Sequence, residues 1–239
     1  GEDKYGEQFR DLFHKLNVDI NLLQKDKECP TRLVKVLTDQ NGERSFSGFI
    51  NNSNGLFADE VLNKEKIKKN ITYLDKLYMN AKYLITGTLL LASHRSSEAL
   101  SFLIEYSQKF DLKIVIDLNW RDIFWDNSEH SKYLKRDDQL LLVKKFLNYV
   151  DILKLAKEEA LLLFGMVDPV AISKSLPKSP DIIITDGSNP IVWFINGLFD
   201  KNEIVRSTQI IDSTGAGDAF LAGLISQYIK HSSNMNRSI

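Results

Sequence analysis

The sequence predicts an α/β fold, built on a mostly parallel sheet with helices on both faces. Apolar, strand-like runs alternate with helix-like runs through most of its 239 residues, an order typical of crossover units in a parallel sheet. A chain of this length can bury one sizeable core, so we expect a single domain over residues 1–239. Polar residues follow the strand-like runs, where such sheets bind ligands; they are Thr88, Asn119, Thr185 and Asp212.

A hairpin precedes this alternating series. Extended runs at 31–38 and 44–50 flank the segment Asp39–Glu43, and an Asn-Gly pair between two such runs is a strong hairpin signal. We interpret the hairpin, over residues 31–50, as a lid that covers the site and excludes water during a reaction. An edge hairpin of the main sheet is the alternative interpretation.

The spacing of apolar residues places the later elements. Strands are predicted at 83–88, 113–117, 152–155, 182–185 and 191–195, and helices at 100–110 and 139–150. A last helix is predicted over the apolar run that follows Asp218. The charged run Lys64–Lys69 has a polar helical pattern, which is typical of a solvated face.

The overall charge excludes some classes of partner. A formal net charge of −1 gives no electrostatic reason to expect a nucleic acid or an anionic membrane.

The single cysteine, Cys29, excludes an internal disulfide and fits a reducing compartment. No apolar run is long enough to span a bilayer and no signal-peptide pattern is present, so we expect a soluble cytoplasmic protein.

The most informative stretch covers residues 211–220. Its small residues Gly215, Ala216 and Gly217 let backbone N–H groups converge at the start of the last predicted helix, where an anion is stabilised. Asp218 is unexpected there, because a carboxylate repels the phosphate that such a turn attracts. A base that takes the proton from the group attacking the phosphate would explain it. The combination indicates phosphoryl transfer to a hydroxyl.

A glycine-rich turn with an acid in the first helical turn is also a common structural feature of α/β proteins. The whole run at 211–220 is more specific, and it resembles the C-terminal motif of the pfkB, or ribokinase-like, family of ATP-dependent sugar and nucleoside kinases. The resemblance implies a three-layer α/β sandwich with a small β lid, Asp218 as the catalytic base and residues 215–217 as the anion hole. It also implies ATP and Mg²⁺ as cofactors.

The lid and the sugar side resemble fructokinases most. The segments that carry this likeness are 30–32, 42–46 and 117–121 with Trp125; the third matches the pattern Asp-Pro-Asn-x-Arg, with Leu118 in place of proline. The resemblance implies that Arg32, Asn119 and Arg121 contact sugar or phosphate, and a guanidinium suits such oxygens. Taken alone, Arg121 would be a surface arginine paired with a neighbouring aspartate.

The metal side departs from the family pattern Asn-x-x-Glu. Glu159 matches the glutamate, which implies a role near Mg²⁺ through water, but Ala156 stands where the family has asparagine. Mg²⁺ keeps several waters and can tolerate the loss of one amide. The alternative is that Glu158 and Glu159 are ordinary acids in a first helical turn.

Two further segments resemble the family's ligand sites. Thr185 and Gly187 match its nucleotide-binding Thr-x-Gly at a strand end, although Pro190 stands near the place of the second glycine. Asp212 and Thr214 match positions that bind an activating monovalent cation such as K⁺ in many relatives. Locally, Asp212 and Thr214 could instead form a turn and a helix cap.

The resemblance also leads us to expect a chain that is truncated at both ends, since full-length relatives carry a block before Gly1 and further elements after the last helix. We expect an ATP-dependent kinase that phosphorylates a sugar hydroxyl, fructose first, and that forms a homodimer through the lid. The alternative is a catalytically silent regulatory or scaffold protein, which the substitution at Ala156 and the missing block favour. The retained Asp218 argues against it.

Overall fold

The computed structural model describes residues 1–38, 44–50, 55–127, 134–205 and 214–235. Strands and helices alternate along the chain, as the sequence predicts. The strands are β1 Leu33–Thr38, β2 Arg44–Ile50, β3 Tyr83–Gly87, β4 Lys113–Asp117, β5 Ile152–Ala156, β6 Asp181–Asp186, β7 Asn189–Ile195 and β8 Leu198–Asn202. The helices are α1 Lys4–Lys15, α2 Lys64–Lys69, α3 Ile71–Asn80, α4 His94–Ser107, α5 Asp122–Asn127, α6 Arg136–Phe146, α7 Lys157–Phe164, α8 Pro169–Ser175 and α9 Ala216–Met235.

Within the described ranges, the main sheet contains six strands in sequence order, β3-β4-β5-β6-β7-β8. Strands β3 to β6 are parallel, whereas β7 and β8 are antiparallel to their neighbours. Only a tight turn separates β6 from β7, and such a connection permits antiparallel pairing alone. The predicted α/β class with a mostly parallel sheet is therefore confirmed, with an antiparallel addition at one edge.

Side-chain alternation divides the sheet into two buried faces. On one face, Ile114, Leu153 and Ile182 belong to a large cluster that also contains residues of α4, α6, α7 and α8. The other face carries Val115, Ile152 and Ile183, each adjacent in sequence to one of the residues just named. These three side chains pack in one cluster with Leu221 and Ile225 of α9. Helices thus cover both faces, which accounts for the near-continuous apolar strands.

Several helix boundaries follow from local chemistry. Asp3 caps α1 by accepting hydrogen bonds from the backbone N–H groups of Tyr5 and Gly6. Asp168 caps α8 in the same way, and Pro169 occupies its first position, where a missing N–H costs nothing. Gly165 ends α7 with φ of +69°, a left-handed conformation that glycine adopts without strain.

Strands β1 and β2 form a separate antiparallel pair. Its register shifts between Lys35 and Val36, opposite Gly48, whose φ is +138°. The Asn41-Gly42 turn that predicts this hairpin lies outside the described residues. The pairing agrees with a hairpin separate from the main sheet, and its role as a lid stays a prediction. In the described part of the chain, no helix has the length and hydropathy needed to cross a membrane.

Candidate active site

A cavity of about 270 Å³ lies where the carboxyl ends of β4 and β5 meet the start of α9. It is lined by Leu89, Asp117, Asn119, Arg121, Phe124, Lys154, Thr214, Gly215, Gly217 and Asp218. The cavity therefore brings together the predicted base, two residues of the predicted anion hole and two of the predicted substrate contacts. Its position at the carboxyl edge of parallel strands is where this type of sheet binds ligands.

The alternation of side chains explains why Asp117 and Lys154 enter this cavity. Asp117 follows Val115 by two residues and Lys154 follows Ile152 by two, so all four point to the face of the sheet that α9 covers. Asp117 and Lys154 are also direct neighbours across β4 and β5. A charged pair is therefore buried beside the N-terminus of α9.

Lys154 and Asp117 form an ion pair. The Lys154 Nζ lies 3.0 Å from Asp117 Oδ1 and 3.1 Å from Oδ2, and both residues are buried. Burial raises the pKa of the Asp117 carboxyl; the Lys154 ammonium pulls this pKa down, and the negative charge of Asp218 pushes it up. The opposing effects show that three charged groups share one small region.

The first turn of α9 approaches this pair closely. A Cβ atom placed on Gly217 would lie 3.2 Å from Lys154 Nζ, so the absence of a side chain lets the helix backbone reach the ammonium. Gly215 has φ of +79°, which favours glycine in the turn that enters the helix. Asp218 lies exposed in the first turn, on the cavity wall.

The loop after β4 carries Asn119 and Arg121 into the cavity. Asn119 adopts φ of +45°, a left-handed conformation that asparagine tolerates better than most residues. The Arg121 side chain is 41% exposed; its Nη1 donates to the Trp120 carbonyl at 2.8 Å and lies 3.8 Å from Glu159 Oε1. The guanidinium is thus held through Nη1, and part of the side chain is exposed to solvent inside the cavity.

Glu159 holds this loop against the start of α7. Its Oε1 accepts a hydrogen bond from the Trp120 backbone N–H and its Oε2 from the Ala156 backbone N–H, both at 2.7 Å. Burial raises the pKa of the Glu159 carboxyl, against the lowering effect of these two donors, and the charge of Asp117 raises it further. The Asp117 charge therefore affects the pKa of the Glu159 carboxyl.

Most of the other predicted residues lie outside this cavity. Thr185, in register with Ala156, is the last residue but one of β6, and Gly187 follows the strand in a turn with φ of +54°. Both are at the same edge of the sheet as the cavity without lining it. Arg32 lies outside this cavity, with its guanidinium bonded to Asp59 and Glu60. Thr214 lines the cavity, whereas Asp212 lies outside the described residues.

Lys154 and its partner Asp117 are members of the site that sequence reasoning missed. A signal was present, because Lys154 interrupts an apolar strand at the position that shares a face with Ile152. A lysine at a buried strand position needs a partner. The partner, Asp117, is 37 residues away in the sequence, and strand pairing alone brings the two together.

Comparison with known proteins agrees with the fold and identifies the family. The family model described as pfkB family carbohydrate kinase matches residues 1–237. The chain is 25% identical over 230 residues to 2-dehydro-3-deoxygluconokinase of Escherichia coli K12, which covers 94% of this chain and 70% of that protein. It is 24% identical over 246 residues to fructokinase of Vibrio alginolyticus, covering 100% of this chain and 72% of that protein.

A solved structure shows the same fold. The fructokinase from Xylella fastidiosa with bound ATP superposes with a TM-score of 0.78 at 24% identity, over 96% of this chain and 66% of that one. The chain thus spans about two thirds of the length of the proteins that it matches. With the family model matched almost from end to end, the chain belongs to the pfkB family of carbohydrate kinases.

Proposed function

We propose that this protein transfers the γ-phosphoryl group of ATP to a hydroxyl of a sugar, with fructose as the first candidate. One observation carries the proposal: Asp218, Lys154 and the glycine-rich start of α9 line a single cavity at the carboxyl edge of the sheet. A base, a cation and helix N–H groups in one place are the parts that phosphoryl transfer needs.

Each of these groups has a separate role. Asp218 accepts the proton of the attacking hydroxyl. The backbone N–H groups of Gly215, Ala216 and Gly217 stabilise charge on the transferring group, because they lie at the positive end of α9. The Lys154 ammonium, beside Gly217, adds positive charge on the same side of the cavity.

The carboxylates present suit a Mg²⁺ ion held largely by water and phosphate. Among the described residues, no three His, Cys, Asp or Glu side chains meet in a way that would hold a metal by themselves. Mg²⁺ is commonly bound by one or two carboxylates together with substrate phosphates. Asp117, which lines the cavity, would supply one carboxylate, whereas Glu159, whose two oxygens accept backbone N–H groups, would act on the metal only through water. A bound Mg²⁺ would neutralise charge on the phosphate oxygens.

The remaining ligand roles rest on the family likeness. Thr185 and Gly187 would contact the nucleotide from the end of β6. Thr214, together with Asp212, would bind the activating K⁺. Asn119 and Arg121 would contact the sugar from the loop after β4, which lines the cavity.

Arg121 favours a second candidate substrate, 2-dehydro-3-deoxygluconate, on which the named relative from Escherichia coli acts. That sugar carries a carboxylate, and a guanidinium binds carboxylates through paired hydrogen bonds. The Arg121 side chain is 41% exposed in the cavity, whereas Lys154 in the same cavity is already paired with Asp117. An acidic sugar would thus find in Arg121 a guanidinium that fructose does not need.

A sugar panel tests the proposal. The purified protein is incubated with ATP, Mg²⁺ and single sugars, including fructose and 2-dehydro-3-deoxygluconate, and phosphorylated products are identified by mass spectrometry. Arg121→Lys separates the two candidates: it should lower kcat/KM at least about tenfold for the acidic sugar and much less for fructose. Tight ATP binding by calorimetry without any product would favour the catalytically silent alternative.

A further inference from the structure

The Arg32 guanidinium is enclosed by aromatic rings. Its Cζ lies 4.7 Å from the ring centroid of Phe49, 4.4 Å from that of Phe57 and 4.9 Å from that of Phe124. These three phenylalanines form what we call the aromatic cage. The Arg32 side chain is only 11% exposed, so each cation–π contact is made in a largely desolvated environment, where such contacts are strongest.

Two carboxylates complete the coordination of Arg32. Its Nε lies 3.0 Å from Asp59 Oδ2, and its Nη2 lies 3.0 Å from the same oxygen and 3.1 Å from Glu60 Oε2. Glu60 Oε2 also accepts the backbone N–H of Phe57 at 2.9 Å. The Nε and Nη2 donors of Arg32 are thus directed at the protein itself, and Arg32 does not line the cavity that holds Asp218.

The cage joins three parts of the molecule. Arg32 immediately precedes β1, Phe49 belongs to β2, and Phe124 belongs to α5. Phe49 also packs directly on Phe124, with ring centroids 5.2 Å apart. The small β1–β2 sheet is therefore attached to α5 by the direct packing of Phe49 on Phe124 and by Arg32, which contacts both rings.

Phe124 connects the cage to the candidate active site. It lines the cavity that contains Arg121 and Asp218, and it also lines the neighbouring cavity of about 440 Å³ to which Arg32 belongs. Phe124 thus contacts Arg32 and Phe49 in the aromatic cage. It also forms part of the wall of the cavity proposed to bind sugar.

We propose that Arg32 is a positioning residue, which fixes the β1–β2 sheet against the wall of the active site and acts through Phe49 and Phe124 instead of touching the substrate. This role differs from the sugar contact that the family likeness implies, and its kinetic consequence rests on the proposed function. Lysine cannot replace arginine here, because an ammonium lacks the planar face that stacks on rings and the fork that pairs with Asp59 and Glu60.

Hydrogen exchange tests the attachment without any need for activity. In Arg32→Lys, amides of residues 33–37 and 45–50 should exchange at least about tenfold faster, while those of β4 to β6 keep their rates. Arg95→Lys, at an exposed position of α4, is the matched control and should change neither. Unchanged exchange in β1 and β2 of Arg32→Lys would overturn the proposal.

Kinetics test whether the effect passes through the cage. Phe49→Leu removes a ring without altering charge, and it should lower kcat/KM for the sugar by a similar factor to Arg32→Lys, with the KM for ATP within about threefold. The double variant should be little worse than either single one, because both act on one contact. A defect confined to Arg32→Lys, with additive effects, would instead make Arg32 a direct ligand.

The two arms separate failure of this inference from failure of the proposed function. If the parent protein phosphorylates no sugar in the panel, the proposed function fails, and hydrogen exchange alone decides the role of Arg32. If the parent is active but exchange in β1 and β2 ignores the Arg32→Lys change, the positioning role fails while the kinase assignment stands.

Discussion

The proposed role of Asp218 as a general base can be tested by a single substitution. We predict that Asp218→Asn lowers kcat for sugar phosphorylation at least about a hundredfold and keeps ATP affinity within a few fold. The change is nearly isosteric, and loss of a general base has an effect of about that size. Steady-state kinetics and calorimetry measure the two quantities. Asp137→Asn is the matched control, since Asp137 is an exposed acid in the first turn of α6; equal kcat values for both variants would remove Asp218 from the mechanism.

Lys154 allows a prediction about stability as well as chemistry. In Lys154→Met, the buried Asp117 loses its partner, and breaking such a pair costs about 3–5 kcal/mol at pH 7. Without the ammonium, the pKa of Asp117, which burial already raises, rises further above its value in the unfolded chain. The folded variant then binds a proton more readily than the unfolded one. Its deficit relative to the parent should therefore shrink as the pH falls toward 4.

Urea unfolding at pH 7 and near pH 4 measures that deficit. Lys157→Met provides the control, because Lys157 pairs with Asp186 at 2.8 Å but its side chain is 44% exposed. A pair in contact with water contributes far less to stability than a buried pair. A Lys154→Met protein as stable as Lys157→Met at pH 7 would show that the Asp117–Lys154 pair does not matter to the fold.

Helix α9 provides a comparison between two glycines of one element. A methyl at Gly217 would meet Lys154 Nζ at 3.2 Å, whereas a methyl at Gly223 meets nothing within 4 Å. We predict that Gly217→Ala weakens ATP binding at least about fivefold, since it displaces the ammonium and crowds the phosphates. Gly223→Ala should leave binding unchanged and raise stability by about 0.5–1 kcal/mol. Calorimetry and thermal unfolding of both variants decide; identical ATP affinities would contradict the proposed anion hole.

The β7–β8 hairpin shows what was predictable at the level of elements. Its turn, Asn196-Gly197, has φ of +51° and +80°, and an Asn-Gly pair after an apolar run is a known hairpin signal. The sequence pattern predicts the strand at 191–195 and none at Leu198–Asn202, a run with only two apolar residues. The structure shows that every residue of β8 is exposed. A strand with no buried face has no reason to alternate apolar and polar side chains.

At the scale of the whole molecule, burial predicts an order of local stability. The strands β4, β5 and β6 are buried on both faces, whereas β8 is exposed along its length. We predict that amides of β4 to β6 exchange with solvent only on global unfolding, and that amides of β8 exchange at least about a hundredfold faster. Native-state hydrogen exchange measures both groups. Equal protection of β8 and β5 would mean that something else covers this edge.

Local sequence patterns predict the α/β class, most strand positions and the glycine-rich turn that carries Asp218. These features follow from short-range patterns: apolar alternation, turn residues and a contiguous motif. They needed no knowledge of distant partners, which is why β4 was placed at 113–117 from the sequence, as the structure has it.

The contacts between side chains that are distant in the sequence are known from the folded structure. Lys154 joins Asp117 across 37 residues, and Arg32 joins Asp59 across 27. Glu159, expected near a metal, holds the Trp120 backbone across 39 residues. Such contacts depend on strand register and helix packing, which bring together residues that no local pattern relates. The fold class was therefore predictable from the sequence. The grouping of Lys154, Asp117 and Asp218 around one cavity was not, because it depends on strand pairing and helix packing.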